Sequence, residues 1–265
     1  MNSPDLTAVW LAILTADFLR YTITAAAAYL LLWKMFGAQL QRRRILDDAP
    51  KAGQIRREVA YSMVTVLIFA GNGFGISLLK QAGCTRIYDD IAAFGALYRV
   101  LSLLLAIVAH DAYFYWTHRL LHRPAWFRHV HRVHHQSISP TPWAAYSFHP
   151  LEAVVQAAFL PLFVLLVPIH PAAIGVFVLH MIVRNCLGHS GFEVMPWRQA
   201  MRGWLRWTTT VSHHHFHHAR GGGNFGLYFT WWDRFCGTED ARYRANGDAR
   251  FDPPMPTPQL AREQQ

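Results

Sequence analysis

Four long apolar stretches, separated by basic and histidine-rich polar segments, set the plan of this chain. Residues 9–33 are apolar apart from Asp17 and Arg20, which lie three apart and so share a helix face. Residues 59–79 carry no charge, and residues 91–108 are interrupted only by Arg99. A helix needs roughly 20 apolar residues to cross a bilayer, so these three stretches predict transmembrane helices. Residues 153–183 form a fourth apolar region, broken by Pro168 and Pro171 around His170. At 1.5 Å per residue each half is short for about 30 Å of hydrocarbon, which predicts a helical hairpin or two short tilted spans. The expected fold is all-α: an integral membrane bundle of about four spans or hairpin equivalents with a histidine-rich helical cap.

Three divisions follow: membrane helices over residues 1–104, a second unit over 105–240 that includes the hairpin, and a polar, proline-rich tail over 241–265. The loop between the first two helices carries Arg42, Arg43, Arg44, Lys51, Arg56 and Arg57. The excess of basic residues in short loops on the cytoplasmic side places it in the cytoplasm. Two crossings later the chain is back on that side at His118, and the hairpin leaves and returns to it. All the histidine-rich segments are therefore expected on one cytoplasmic face. The first apolar stretch lacks the basic leader and small-residue cleavage site of a signal peptide, so it is expected to stay as an anchor.

Composition supports the membrane reading. Apolar residues make up 52% and charged residues 15%, against about 25% charged in an average soluble domain. The net charge of +9 comes almost wholly from arginine, but no basic stripe with interleaved aromatics stands apart from apolar sequence. No nucleic-acid partner is expected. Cys84, Cys186 and Cys236 are scattered and suggest neither a disulfide framework nor a thiolate metal site.

The chemistry lies in the histidines. Eleven of the sixteen crowd into residues 118–135 and 213–218. His118 and His122 are spaced i,i+4; His131 is followed by His134 and His135, and His214 by His217 and His218. On a helix, i, i+3 and i+4 share a face, so His131 can join either His134 or His135. The adjacent rings diverge by about 100° and tend to reach different ions. Doubled histidines in two clusters therefore suit a site for two metals. Neutral imidazole binds iron, copper and zinc, and spacing does not select among redox metals. His129, His213 and His215 fall off the pattern and read as packing or supporting groups. His110, His149, His170 and His180 stand alone and read as helix-end or interfacial residues. His189, in NCLGHSG, is an open case on spacing alone. A histidine-rich metal transporter is the alternative, but the uncharged second span offers no mid-membrane ligand.

These motifs resemble the fatty acid hydroxylase / sterol desaturase superfamily of integral-membrane di-iron enzymes. The pattern HxxxH, HxxHH, HxxHH is carried by His118/His122, His131/His134/His135 and His214/His217/His218. The surroundings agree: PTPWAAYSFHPLE at 140–152, GHSGFE at 188–193 and NFGLYFTWWDRFCGT at 224–238, the first and last being similar to sterol C5-desaturases. The resemblance implies that residues 105–240 are the catalytic domain. It implies two iron ions held by those eight histidines and His189, with Asn185, Asp111, Glu152 and Asp233 in supporting positions beside His213, which its place off the helical pattern already marks as a supporting candidate. It further implies an O2-dependent hydroxylase or desaturase taking a fatty-acyl or sterol-like lipid from the bilayer. No fused cytochrome b5 is present in the chain, so a separate ferredoxin- or cytochrome b5-like donor with its reductase is expected.

Overall fold

A computed structural model describes residues 5–45, 50, 52–195 and 203–246. The tail beyond residue 246, part of the basic loop (including Lys51) and residues 196–202 lie outside the described residues. The protein is an α-helical membrane bundle; among the described residues only isolated β-bridges occur. Among the described residues four helices are long and apolar enough to cross a membrane.

Helix α1 (Leu6–Tyr29) starts at Asp5, whose carboxylate accepts from the Thr7 N–H, and a π-helical turn carries it on to Met35. Helix α2 is Ala52–Gln81 and α3 is Gly95–Leu121. Their outer faces present large apolar side chains such as Leu19, Ile23, Leu67, Leu97 and Leu104. Contiguous exposed apolar surface of this kind matches a hydrocarbon solvent, not water.

The hairpin is asymmetric. Its first half is two short helices, α5 (Pro150–Ala157) and α6 (Phe159–Leu166), and its second half is one, α7 (Pro171–Gly188). Helix α7 runs 18 residues, longer than the apolar run implies. Arg184 and Asn185 extend it because their polar groups find partners: Arg184 donates to the Thr209 carbonyl and Asn185 to the Ala145 carbonyl. Both α5 and α7 open on a His-Pro pair. His149 and His170 cap through Nδ1, and the proline at the first helical position has no N–H to satisfy. Of the four lone histidines expected at helix ends or interfaces, these two are at helix ends for that reason. His110 instead is buried within α3, where its Nδ1 lies 2.9 Å from the Tyr228 hydroxyl, and His180 lies within α7.

One end of the bundle carries the cap. The Trp33 indole at the end of α1 donates to the Ser190 carbonyl after α7, and Arg57 near the start of α2 donates to the Gln136 carbonyl. Buried Glu58 accepts from Gln54 and Thr141, fixing the PTP segment against α2. At the opposite end Tyr98 of α3 donates to the Pro168 carbonyl in the hairpin tip. The ends of α1, α3 and α7 and the start of α2 therefore share a side with every histidine cluster.

Candidate metal centre

Three cap segments converge on the end of α3. The chain leaves α3 at His122 and passes through a π-helical turn (Phe127–His131) into the short helix α4 (Arg132–His135). Helix α8 (Val211–Arg220) is capped by the Thr210 side chain, which accepts from the His213 N–H, and ends at Gly221 in the left-handed region (φ 67°). A loop over 221–230 then folds back to α9 (Trp231–Phe235).

These segments bring nine histidines into two groups able to hold metal ions. His118, His122, His131, His135 and His217 form one; His134, His189, His214 and His218 form the other. In each group the potential ligand atoms lie within 4.8 Å of one another. The helical reading explains the partition. His134 and His135 fall into different groups, as do His217 and His218, while the i,i+4 pairs 118/122, 131/135 and 214/218 stay together. His131 thus joins His135, and His189 completes the second group.

The nitrogen geometry fits bound cations. In the first group the Nε2 atoms of His135 lie 3.2 Å from His122 and 3.1 Å from His217, and those of His118 and His131 are 3.1 Å apart. In the second, His214 Nε2 lies 2.9 Å from His189 and 3.1 Å from His218, with His189 3.3 Å from His134. Two nitrogens each about 2.1 Å from one ion at near-right angles are separated by about 3 Å. Hydrogen bonding does not account for all of these approaches. His118 Nδ1 donates to the Phe225 carbonyl, His217 Nδ1 to Gly223, and His189 Nδ1 to Asn185, at 2.8–2.9 Å. His131 Nδ1 donates to Glu152 Oε1 at 2.7 Å. With Nδ1 carrying the proton on both His118 and His131, these neutral rings turn bare Nε2 lone pairs toward each other, and a cation between them removes the repulsion.

Burial keeps the rings neutral. It holds the imidazole of His135 at about 3 and that of His189 at about 4, with repulsion from His118 adding to the depression. His122, His131, His134, His214, His217 and His218 are likewise held well below the ordinary value by burial and then by one another. Folded rings stay neutral while unfolded ones protonate below about pH 6.5. The stability present above that pH is therefore lost as pH falls through it toward 4. The metal-free protein is expected to show a falling thermal midpoint from pH 7 to pH 5; a flat profile by scanning fluorimetry contradicts it.

The supporting residues divide. Glu152 touches His131 directly. Asn185 acts on His189 through its backbone carbonyl, its side chain being committed to Ala145. Asp233 works at one remove: it accepts from the N–H groups of Phe225 and Gly226 and from Thr238, so it shapes the loop whose carbonyl binds His118. Burial opposes its charge, but bonds from His213, Thr238 and Gly226 hold its carboxyl below the ordinary range. His213 turns away from both groups, its Nε2 lying 3.4 Å from Asp233. Asp111 meets none of the nine rings among the described residues. It accepts from the Tyr228 and Phe229 N–H groups and the Trp231 indole, pinning the same loop to α3.

What sequence could not reveal is the backbone's share: the carbonyls of Gly223 and Phe225 set two tautomers, and a carbonyl leaves no residue signature. The glycines nearby do leave one. A Cβ on Gly223 would sit 2.3 Å from the Thr238 carbonyl oxygen, and one on Gly226 would sit 2.4 Å from that of Phe229. Gly223→Ala is expected to cost about 1–3 kcal/mol of stability and to weaken metal binding at the five-histidine group, since the carbonyl facing His217 must move. Unchanged metal affinity by chelator competition would count against this.

A cavity of about 290 Å³ lies between α1, α2, α3, α5, α6 and α7. Pro171, Ile174, Gly175, Val178, Met181 and Asn185 line it as one stripe of α7 whose ends are fourteen residue steps apart, about 21 Å at 1.5 Å per residue. Its wall includes Phe114 and Phe148, whose rings pack 4.9 Å from His118 and 5.2 Å from His134. An apolar chamber in the membrane bundle thus abuts both histidine groups.

Fold and site together define a multi-pass helical membrane protein with a buried, two-group polyhistidine centre at one end of the bundle. The chain belongs to the fatty acid hydroxylase family, whose model matches residues 103–238. It is 30% identical over 223 residues to a Delta(7)-sterol 5(6)-desaturase of Gibberella zeae, covering 83% of this chain and 65% of that protein. Lathosterol oxidases of Rattus norvegicus (29% over 188 residues; 70% of this chain, 61% of that protein) and Homo sapiens (27% over 227 residues; 82% and 73%) are also similar. The chain spans less than two thirds of the length of the first two relatives. No solved structure matches it at a significant level.

Proposed function

We propose that this protein is a membrane-bound oxidoreductase that uses O2 and external electrons, through two irons, to hydroxylate or desaturate a lipid. The observation that carries this reading is the contact between an apolar membrane chamber and two groups of buried, neutral histidines, four of which have Nδ1 committed to a protein acceptor. The family and the names of the relatives support a lipid substrate.

His118, His122, His131, His135 and His217 would hold one ion, and His134, His189, His214 and His218 the other. Bound iron would supply the power to activate O2 and take hydrogen from an unactivated C–H bond. The chain's own part is placement. The stripe on α7 holds an extended hydrocarbon against Phe114 and Phe148, so that one segment of it lies beside the centre. The same aromatic and aliphatic wall excludes water, which protects a reactive site from side reactions. Glu152 and the carbonyls of Phe225, Gly223 and Asn185 keep Nδ1 protonated on four rings, so each Nε2 is free to coordinate.

The positive-inside bias supports a cytoplasmic cap, where a soluble ferredoxin- or cytochrome b5-like donor would dock. His122, less buried than its partners, lies beside exposed Arg123, Arg128 and Arg132, a surface suited to an acidic donor.

Anaerobic purification with metal quantification, followed by lipidomics of cells with and without the protein, tests the proposal. Two irons per chain and one lipid class gaining an oxygen or a double bond are expected. Zinc at both groups with an unchanged lipid profile would overturn it and favour metal handling.

A further inference from the structure

The membrane chamber is not uniformly apolar. Asp17 and Arg20 form an ion pair on α1, with side chains 14% and 25% exposed, and both line the chamber. Charged groups within a membrane span are costly to keep and tend to mark a pathway or a ligand. On the wall contributed by α5, Gln156 is 9% exposed, and its buried Oε1 has no hydrogen-bond partner. A buried amide oxygen without a donor is unfavourable unless a ligand supplies one.

We infer that the chamber recognises its lipid through a hydroxyl group, read by the Asp17–Arg20 pair and by Gln156. The inference rests on the chamber being the lipid site, as proposed above, and narrows the lipid to an uncharged alcohol. Three chemical arguments select that class. The ion pair has no net charge, so a carboxylate drawn to Arg20 would face Asp17 in a low dielectric, where like charges repel strongly. Asp17 and the Gln156 oxygen both accept hydrogen bonds, and neither a carboxylate, an ester nor a ketone brings a donor. A pure hydrocarbon would leave the Gln156 oxygen without a partner. A hydroxyl both donates and accepts, so it can give its proton to either acceptor while taking a bond from Arg20. Sites built around buried polar groups reject analogues lacking the matching group more strongly than apolar pockets reject an extra methylene.

The test measures equilibrium binding to the full-length, metal-loaded protein in nanodiscs without reductant. The probes are two matched sets: lathosterol and its O-methyl ether, and hexadecanol with its methyl ether and hexadecanoic acid. In at least one set the alcohol is expected to bind roughly tenfold more tightly than its ether, with hexadecanoic acid weaker than hexadecanol. Gln156→Leu and the charge-neutral double variant Asp17→Asn/Arg20→Gln are each expected to bring the alcohol-to-ether ratio toward one. Unaltered affinity for the ether shows that each variant is folded. Equal binding of alcohol and ether by the wild-type protein in both sets, or full preference retained in both variants, overturns the inference. Metal content and lipid oxidation are read separately. Selective alcohol binding by a protein without redox activity would sink the enzymatic proposal and leave this one standing; oxidation without alcohol preference would do the reverse.

Discussion

Replacing His218 by alanine is expected to release one of the two metal ions, whereas replacing its neighbour His217 weakens the other ion's site without emptying it. The two residues are adjacent in sequence but serve different groups: His217 Nε2 lies 3.2 Å from His122, and His218 Nε2 3.1 Å from His214. Removing His218 leaves three imidazoles of four, while removing His217 leaves four of five. Fewer remaining ligands mean a weaker site, so metal per chain should fall from two toward one for His218→Ala. It should stay near two at saturating metal for His217→Ala. Turnover should fall by more than about 100-fold for His218→Ala, beyond the 10–100-fold typical of outer partners of a metal site. Metal analysis after gel filtration, with and without added iron, reads the difference. Identical losses from the two variants would show that the histidines do not divide as described.

Glu152 gives the second large effect. Its side chain is almost fully buried, and Oε1 accepts the Nδ1 proton of His131 at 2.7 Å. Glu152→Leu removes the acceptor, so His131 is free to place its proton on Nε2, the atom that faces the other rings. Metal affinity of the five-histidine group is expected to fall roughly 10–100-fold, with the four-histidine group unaffected. Glu152→Gln keeps a carbonyl oxygen as acceptor and loses only the negative charge, so it should fall between the two. Competition titration with a chromophoric chelator gives both affinities. If Glu152→Gln proves as damaging as Glu152→Leu, the carboxylate acts through its charge, and the tautomer argument fails.

Much of this molecule is determined by local pattern. The first three apolar runs become membrane-length helices because a span depends on length and hydropathy, both local properties. The pairing of i,i+4 histidines and the splitting of adjacent ones follow from 3.6 residues per turn wherever the segment is helical. Helix α7 was longer than its apolar run because Arg184 and Asn185 found partners on distant segments. The resemblance gives Asp111 a supporting position, but what its carboxylate holds, the Tyr228 and Phe229 N–H groups and the Trp231 indole, is not written in the motif.

The sequence alone therefore determined a helical membrane protein with histidines enough for two metals. Tertiary structure decided which rings meet, which tautomer four of them take, and that a partly polar chamber ends against them. Those matters depend on carbonyl oxygens and side chains more than a hundred residues apart, such as Phe225 and His118. Periodicity describes only neighbours along the chain, and coordination requires groups to converge in space.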